Sequence, residues 1–73
     1  MNEIQAMGIF LRVAELSSFT QAARHMGLPN GSVSTAVQEL ESMLGTRLLH
    51  RTTRRVQLTP DGQQFYERSK NVL

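Results

Sequence analysis

The chain has 73 residues, a formal net charge of +2 and no cysteine. A chain of this length forms one small domain, which buries only about 60% of its unfolded surface and must gain its stability from helix packing. The lack of cysteine excludes disulfides and thiolate metal sites and is compatible with a reducing, cytoplasmic location. No stretch reaches the ~20 apolar residues of a membrane span, and the first residues lack the basic character of a signal peptide.

The first predicted element is a helix that begins after Asn2. Asn2 is a suitable N-cap, and Gln5 follows it at the spacing of a capping box. Gly8 lies in the middle of this helix at a cost of about 1 kcal/mol relative to alanine, which predicts close packing there. An apolar stripe at helical spacing runs to about Leu16 and comprises Ile4, Met7, Phe10, Leu11 and Ala14.

A second, short helix is predicted to begin near Phe19, after two serines that break the first. Ser18 or Thr20 can cap it by accepting a hydrogen bond from an early backbone N–H. Its small Ala22 and Ala23 allow another helix to approach closely, and Phe19 is expected in the core between the first two helices. Gly27 accepts the left-handed conformation that ends a helix, and the next residue, Leu28, is placed to fold back onto it.

A third helix is predicted after the turn residues Pro29-Asn30-Gly31. Its apolar stripe has steps of four, three and four and comprises Val33, Val37, Leu40 and Leu44. Two helices crossing sharply over residues 19–44 are typical of a helix-turn-helix, whose second helix enters the DNA major groove. An ordinary αα-corner in a small bundle is the alternative for this stretch alone.

A β-hairpin is predicted over about 48–58, after Gly45 ends the third helix. Its strands are 48–51 and 56–58, and the loop between them, 52–55, is rich in Thr and Arg. Threonine hydroxyls and bidentate arginines suit a loop that lies on phosphates, so this hairpin is interpreted as a wing. Four arginines fall within nine positions without an acid, at Arg47, Arg51, Arg54 and Arg55. A solvated basic face is the alternative for this cluster.

The last predicted element is a helix with a well-marked start. Thr59 suits the N-cap, Pro60 the first helical position and Asp61 the positive helix end. Its apolar pattern still continues at Leu73, where the sequence stops. We therefore expect either a fragment of a longer protein or a helix that completes its packing against a second copy.

The chain resembles the N-terminal domain of LysR-type transcriptional regulators over nearly its whole length. The wing followed by the start of the last helix is the most specific part of this resemblance. The residues that carry it are Ser18-Phe19-Thr20-Gln21-Ala22-Ala23, Gly27, Val33-Ser34, Leu40-Glu41, Leu44-Gly45, Leu48-Leu49, Arg51-Thr52-Thr53-Arg54-Arg55-Val56 and Leu58-Thr59-Pro60-Asp61-Gly62.

The resemblance implies a mainly α fold: a winged helix-turn-helix with a three-helix core and a short β-hairpin wing, followed by a C-terminal linker or dimerisation helix. It implies a DNA-binding domain over residues 1–59 and the start of a linker helix over 60–73 that pairs with a second subunit. Members of the family bind a small-molecule effector through a larger C-terminal domain. That domain is absent here, so the fragment is expected to bind duplex DNA without a ligand response of its own.

One four-residue stretch and one further position depart from the usual family pattern at the start of the third helix. Many members have Ser-Gln-Pro-Ala where this chain has Pro29-Asn30-Gly31-Ser32, and many have arginine where this chain has Thr35. Base readout at these positions is therefore expected to differ from that of relatives. The operator sequence cannot be transferred from them.

Three groups of residues are predicted to make the contacts. Asn and Gln can bond to adenine edges and a Thr methyl can touch that of thymine, so the base-reading group is Asn30, Ser32, Ser34, Thr35 and Gln38. Backbone or minor-groove contacts are assigned to the start of the second helix and to the wing, at Ser18, Thr20, Gln21, Arg51, Thr52, Thr53, Arg54 and Arg55. Dimer contacts, with packing on the first helix as the alternative, are assigned to Phe65, Tyr66, Ser69, Val72 and Leu73.

An enzyme is not expected, because His25 and His50 lack metal-ligand spacing and no base–nucleophile pair or glycine-rich phosphate loop is found. We therefore predict no cofactor, metal or membrane partner. The remaining alternative is a winged helix that binds RNA or a protein. The wing arginines argue against a purely protein partner, since interface cores are depleted of such charge.

Overall fold

The computed structural model describes residues 2–51 and 56–72 and is mainly helical. The helices are α1 (Glu3–Leu16), α2 (Phe19–Met26), α3 (Asn30–Leu44) and α4 (Pro60–Val72), and the strands β1 (Leu49–Arg51) and β2 (Val56–Leu58) lie between α3 and α4. The strands are antiparallel, with Leu49 opposite Leu58. The predicted three-helix core, hairpin and final helix are confirmed.

Local hydrogen bonds and backbone angles account for where the helices begin and end. Asn2 Oδ1 accepts from the Gln5 amide at 2.7 Å, and Ser18 Oγ accepts from the Gln21 amide at 3.1 Å. Ser18, rather than Thr20, therefore caps α2. Gly27 and Gly45 have φ of 70° and 69°, the left-handed values for which glycine was predicted at these two helix ends.

The core lies where α1, α2 and α3 meet, and Leu48 and Leu49 at the start of the hairpin cover one side of it. Its buried members are Ala6, Ile9, Phe10, Val13, Ala22, Ala23, Val33, Ala36, Val37, Leu40, Leu48 and Leu49. Phe19 and Leu28 are half-buried against this core, as expected. The stripe predicted for α1 was largely wrong, because of its members only Phe10 is buried and the other buried residues of α1 are Ala6, Ile9 and Val13. At the ends of the two predicted stripes, Ile4 is 65% exposed and Leu44 is 44% exposed. Both lie in terminal turns, where a helix has fewer neighbours.

Two further predictions about backbone and packing were wrong. Asn30 and Gly31 belong to the first turn of α3 rather than to the connecting turn, because Pro29 is already the N-cap. A Cβ placed on Gly8 would have no atom within 4 Å, so this glycine does not mark a close approach. The close approach lies instead at Gly62, at the start of α4.

The helix α4 packs against α1 of its own chain. The Phe10 and Phe65 rings lie with centroids 5.6 Å apart and planes tilted by 57°. Ser69, one turn further along α4, is 1% exposed. The start of the predicted linker helix is thus part of the same packed unit as the reading helices. Among the described residues, no helix is both long and apolar enough to cross a bilayer.

Candidate nucleic-acid interface

The exposed side of α3 is polar except near its C-terminal end, where Met43 is 54% and Leu44 is 44% exposed. Its opposite side carries four buried apolar residues, and this fixes the rotation of the helix about its axis. On the solvent side, Thr35 and Gln38 are exposed and line a shallow depression together with Glu39 and Ser42. A helix that presents hydroxyl, amide and carboxylate groups along one face can hydrogen-bond to base edges in a major groove.

The five predicted base-reading residues are not equally exposed. Asn30, Thr35 and Gln38 are exposed, whereas Ser32 and Ser34 are half-buried. Ser32 lines a second shallow depression beside Thr35, toward the N-terminus of α3. Exposure alone thus separates Asn30, Thr35 and Gln38 from the two serines, and the assignment of all five residues to base contacts stays a prediction.

The prediction missed two residues on the same face, Glu39 and Ser42. Both are exposed, and both line the depression that Thr35 and Gln38 line. They follow Thr35 and Gln38 by four positions, so helical periodicity extended by one turn would have found them. Glu39 adds an acid to a face that is expected to meet phosphates, and so affects affinity as well as readout.

The start of α2 presents exposed Thr20 and Gln21 beside the capping residue Ser18. The Ser18 hydroxyl oxygen accepts the Gln21 amide, which leaves its hydrogen able to donate to an anion. Capping and a phosphate contact are therefore compatible at this residue. A helix N-terminus also favours a phosphate through its free amides and its dipole.

The wing is described at its base only. Arg51 pairs with Val56 across the two strands. The predicted contacts Thr52, Thr53, Arg54 and Arg55 lie outside the described residues, and so does the side chain of Arg51. Their assignment to the DNA backbone stays a prediction from the sequence.

Glu41 connects α3 to the base of the wing. Its Oε2 accepts hydrogen bonds from the backbone amides of Leu48 at 2.8 Å and Leu49 at 3.2 Å. Arg47 Nε lies 3.8 Å from the same oxygen, but the Arg47 side chain is 71% exposed whereas that of Glu41 is 13% exposed. The two charge-assisted bonds to the backbone are the stronger interaction.

The predicted dimer residues fall into three groups. Phe65 and Tyr66 are half-buried against the core, and Lys70 Nζ lies 5.6 Å from the centre of the Tyr66 ring. Ser69 is 1% exposed in its own chain, which fits the alternative of packing within the domain rather than a contact with a second copy. The side chain of Val72 and all of Leu73 lie outside the described residues.

Comparison with known proteins identifies the family of this arrangement. A family profile described as "Bacterial regulatory helix-turn-helix protein, lysR family" matches residues 4–63. An uncharacterized HTH-type transcriptional regulator of Escherichia coli K12, YhjC, is 58% identical over 73 residues, which are 100% of this chain and 24% of that protein. The chain therefore spans about a quarter of the length of this relative.

Two solved structures of similar domains contain DNA. The complex of the BenM DBD with catB site 1 DNA superposes with a TM-score of 0.93 at 35% identity, covering 97% of this chain and 79% of that one. The CbnR DBD–DNA complex superposes with a TM-score of 0.93 at 30% identity, covering 97% of this chain and 82% of that one. The chain belongs to the lysR family of bacterial regulatory helix-turn-helix proteins.

Proposed function

We propose that this chain is the sequence-reading head of a LysR-type transcriptional regulator and binds duplex DNA. The exposed face of α3 with its polar residues carries this proposal. The opposite face of α3 is buried in the core, which fixes the direction in which these polar residues point. The similarity to the BenM and CbnR domains, whose structures hold DNA, supports it. Residues 1–59 carry the reading function and α4 carries the pairing function.

In the proposed complex α3 lies in the major groove with its N-terminal half toward the bases. Gln38 and Asn30 can each donate to and accept from an adenine edge, and the Thr35 methyl can contact that of thymine. Exposed Thr20 and Gln21 at the start of α2 donate to the phosphate backbone. The wing arginines bind the backbone or the adjacent minor groove, where the negative potential is greatest.

Binding as a dimer follows from the same proposal. The helix α4 packs on α1 of its own chain and pairs through its remaining surface with α4 of a second copy, with Tyr66 the candidate contact that is half-buried in one chain. A two-fold dimer reads an interrupted inverted repeat whose half-sites are separated by about 34 Å or a multiple of it. The activity is one of binding rather than catalysis, in the cytoplasm, and any effector response belongs to a further domain.

Fluorescence anisotropy with labelled nucleic acids tests this proposal against an RNA- or protein-binding role. The chain is titrated against a mixed-sequence DNA duplex and a folded RNA hairpin of equal charge, over a series of salt concentrations. We expect tighter binding to the duplex and an affinity that falls steeply with salt, since arginine–phosphate contacts release counterions. Preference for the RNA, or no binding to either nucleic acid, would contradict the proposal.

A further inference from the structure

The short segment 46–49, which joins α3 to the wing, also holds the start of α4. The Thr59 hydroxyl donates to the Arg47 carbonyl at 2.6 Å, and the Thr59 amide donates to the Leu48 carbonyl at 3.0 Å. Next to them, the Thr46 hydroxyl donates to Asp61 Oδ2 at 2.7 Å. Three hydrogen bonds thus fix the first turn of α4 to this segment.

Gly62 allows α4 to lie directly against the same backbone. A Cβ added to Gly62 would lie 2.0 Å from the Leu48 carbonyl oxygen and 2.8 Å from its carbonyl carbon. Leu48 is 1% exposed, so it has no room to move away. Any larger residue at this position must therefore displace α4 from segment 46–49.

The other side of the segment is held by the reading helix. Glu41 of α3 accepts the amide of Leu48, the same residue whose carbonyl contacts Thr59 and Gly62. A single peptide stretch is therefore bonded to α3 through its amide and to α4 through its carbonyl. Hydrogen bonds with both partners well placed resist rotation of one helix relative to the other.

We propose that this junction fixes the direction of α4 relative to α3 and thereby sets the spacing between the two half-sites that a dimer can bind, with Gly62 as the main positioning residue. The inference rests on the proposed function, since it needs a dimer that pairs through α4 and reads DNA through α3. It assigns to Gly62, Thr59 and Asp61 a role in specificity although none of them lies on the reading face.

The size of the expected effect follows from the length of the helix. The 13 residues of α4 span about 20 Å, so a tilt of about 10° moves the far end by about 3.5 Å. This displacement is close to the rise of one base pair, about 3.4 Å. A tilt of α4 of this size would therefore move the preferred half-site spacing by about one base pair.

The first experiment measures the junction without DNA or a dimer. Because the chain has no cysteine, exposed Glu39 on α3 and Asn71 on α4 can be replaced by cysteine and spin-labelled. The distance between the two spin labels is measured on labelled chain diluted into unlabelled chain, so that it is the distance within one molecule. We expect a narrow distribution of label-to-label distances in the parent chain and a shifted or broader distribution in Gly62→Ala. Gly8→Ala, in open space within α1, is the matched control and should leave the distribution unchanged.

A milder variant keeps the test decisive if Gly62→Ala does not fold, as checked by circular dichroism. Thr46→Val removes an exposed hydrogen bond to Asp61 without adding bulk to the core. It should broaden the distance distribution while the thermal unfolding transition stays cooperative. A distribution identical to that of the parent chain in every folded junction variant would overturn the inference, whatever the DNA results are.

The second experiment measures the consequence on DNA. Duplexes carry one half-site, or two half-sites whose separation changes in single base-pair steps. For the parent chain we expect one preferred spacing; for the junction variants we expect the affinity at that spacing to fall about tenfold while single half-site affinity stays within about twofold. An unchanged spacing preference despite a changed distance distribution would overturn the link to specificity. A parent chain that binds neither duplex specifically would instead refute the proposed function.

Discussion

Phe10 of α1 and Phe65 of α4 form a tilted aromatic pair, with ring centroids 5.6 Å apart. Phe10 is fully buried, and Phe65 covers it from outside. The first turns of the linker helix therefore stabilise the reading domain itself, before any second subunit is considered. The proposed pairing through α4 is therefore linked to the folding of the monomer through this contact.

Replacing Phe65 should consequently destabilise the isolated chain. We expect Phe65→Ala to lower the free energy of unfolding by about 1.5–3 kcal/mol, less than for a fully buried phenylalanine because the ring is half-buried. Urea denaturation at low protein concentration measures this, with exposed Gln64→Ala as the control on the same helix. If Phe65→Ala lowers the free energy of unfolding only at high protein concentration, Phe65 belongs to the dimer interface alone.

Replacing Ser69, in contrast to Phe65, should not destabilise the chain. Ser69 is 1% exposed, and within the described residues its hydroxyl has no hydrogen-bond partner. Since an unpaired buried hydroxyl costs about 1–3 kcal/mol, Ser69→Ala should leave the stability unchanged or raise it by about 1 kcal/mol. Denaturant unfolding of the parent chain and the variant decides this. Marked destabilisation would mean that the hydroxyl has a partner after all.

Glu41 should matter for stability more than its neighbour on the same helix. Glu41→Gln weakens two hydrogen bonds to the amides of Leu48 and Leu49, and we expect a loss of about 1–2 kcal/mol. Glu39→Gln makes the same chemical change at an exposed position and should alter stability by less than about 0.5 kcal/mol. Equal effects of the two substitutions in thermal unfolding would exclude the anchoring role.

Gln38 should determine one base position of the operator. We expect Gln38→Ala to relax the preference there at a cost of about 1–3 kcal/mol, because the amide can no longer bond to a base edge. Binding to a panel of single-base variants of the selected site measures this, with Gln64→Ala on α4 as the control. Unchanged preferences across the panel would remove Gln38 from the base-reading group.

Arg54, whose assignment comes from the sequence alone, should act on all DNA sequences equally. Loss of one phosphate contact in Arg54→Ala is expected to weaken binding uniformly and to reduce the slope of log affinity against log salt by about one. Arg12→Ala, which removes an arginine paired with Glu15 on α1, is the control for the change in net charge. A slope that matches the parent chain would place Arg54 away from the phosphates.

Features encoded by neighbouring residues could be predicted from the sequence. Gly27 and Gly45 end their helices with positive φ, and Asn2 and Thr59 accept the amides three positions later. Each of these depends on the conformation of one turn, for which residue type is informative. The family resemblance identified the wing and the final helix for the same reason, through short runs of adjacent residues.

Features that depend on residues distant in the chain could not be predicted. The contact of Gly62 with the Leu48 carbonyl joins positions 14 apart and becomes visible only once the helices are packed. The same holds for Glu41, whose hydrogen bonds to the backbone amides of Leu48 and Leu49 join positions seven and eight apart. Exposure of Ile4 and Leu44 also depends on where neighbouring helices stop. Periodicity identifies the apolar face of a helix but not the part of that face that finds a partner.

Selection of bound duplexes from a random DNA pool, followed by sequencing, tests the central claim most directly. We expect enrichment of an interrupted inverted repeat, with half-site centres separated by about one or more helical turns. A single enriched half-site would support the reading face and contradict pairing through α4. No enrichment, despite binding that weakens steeply with salt, would contradict sequence-specific recognition by α3.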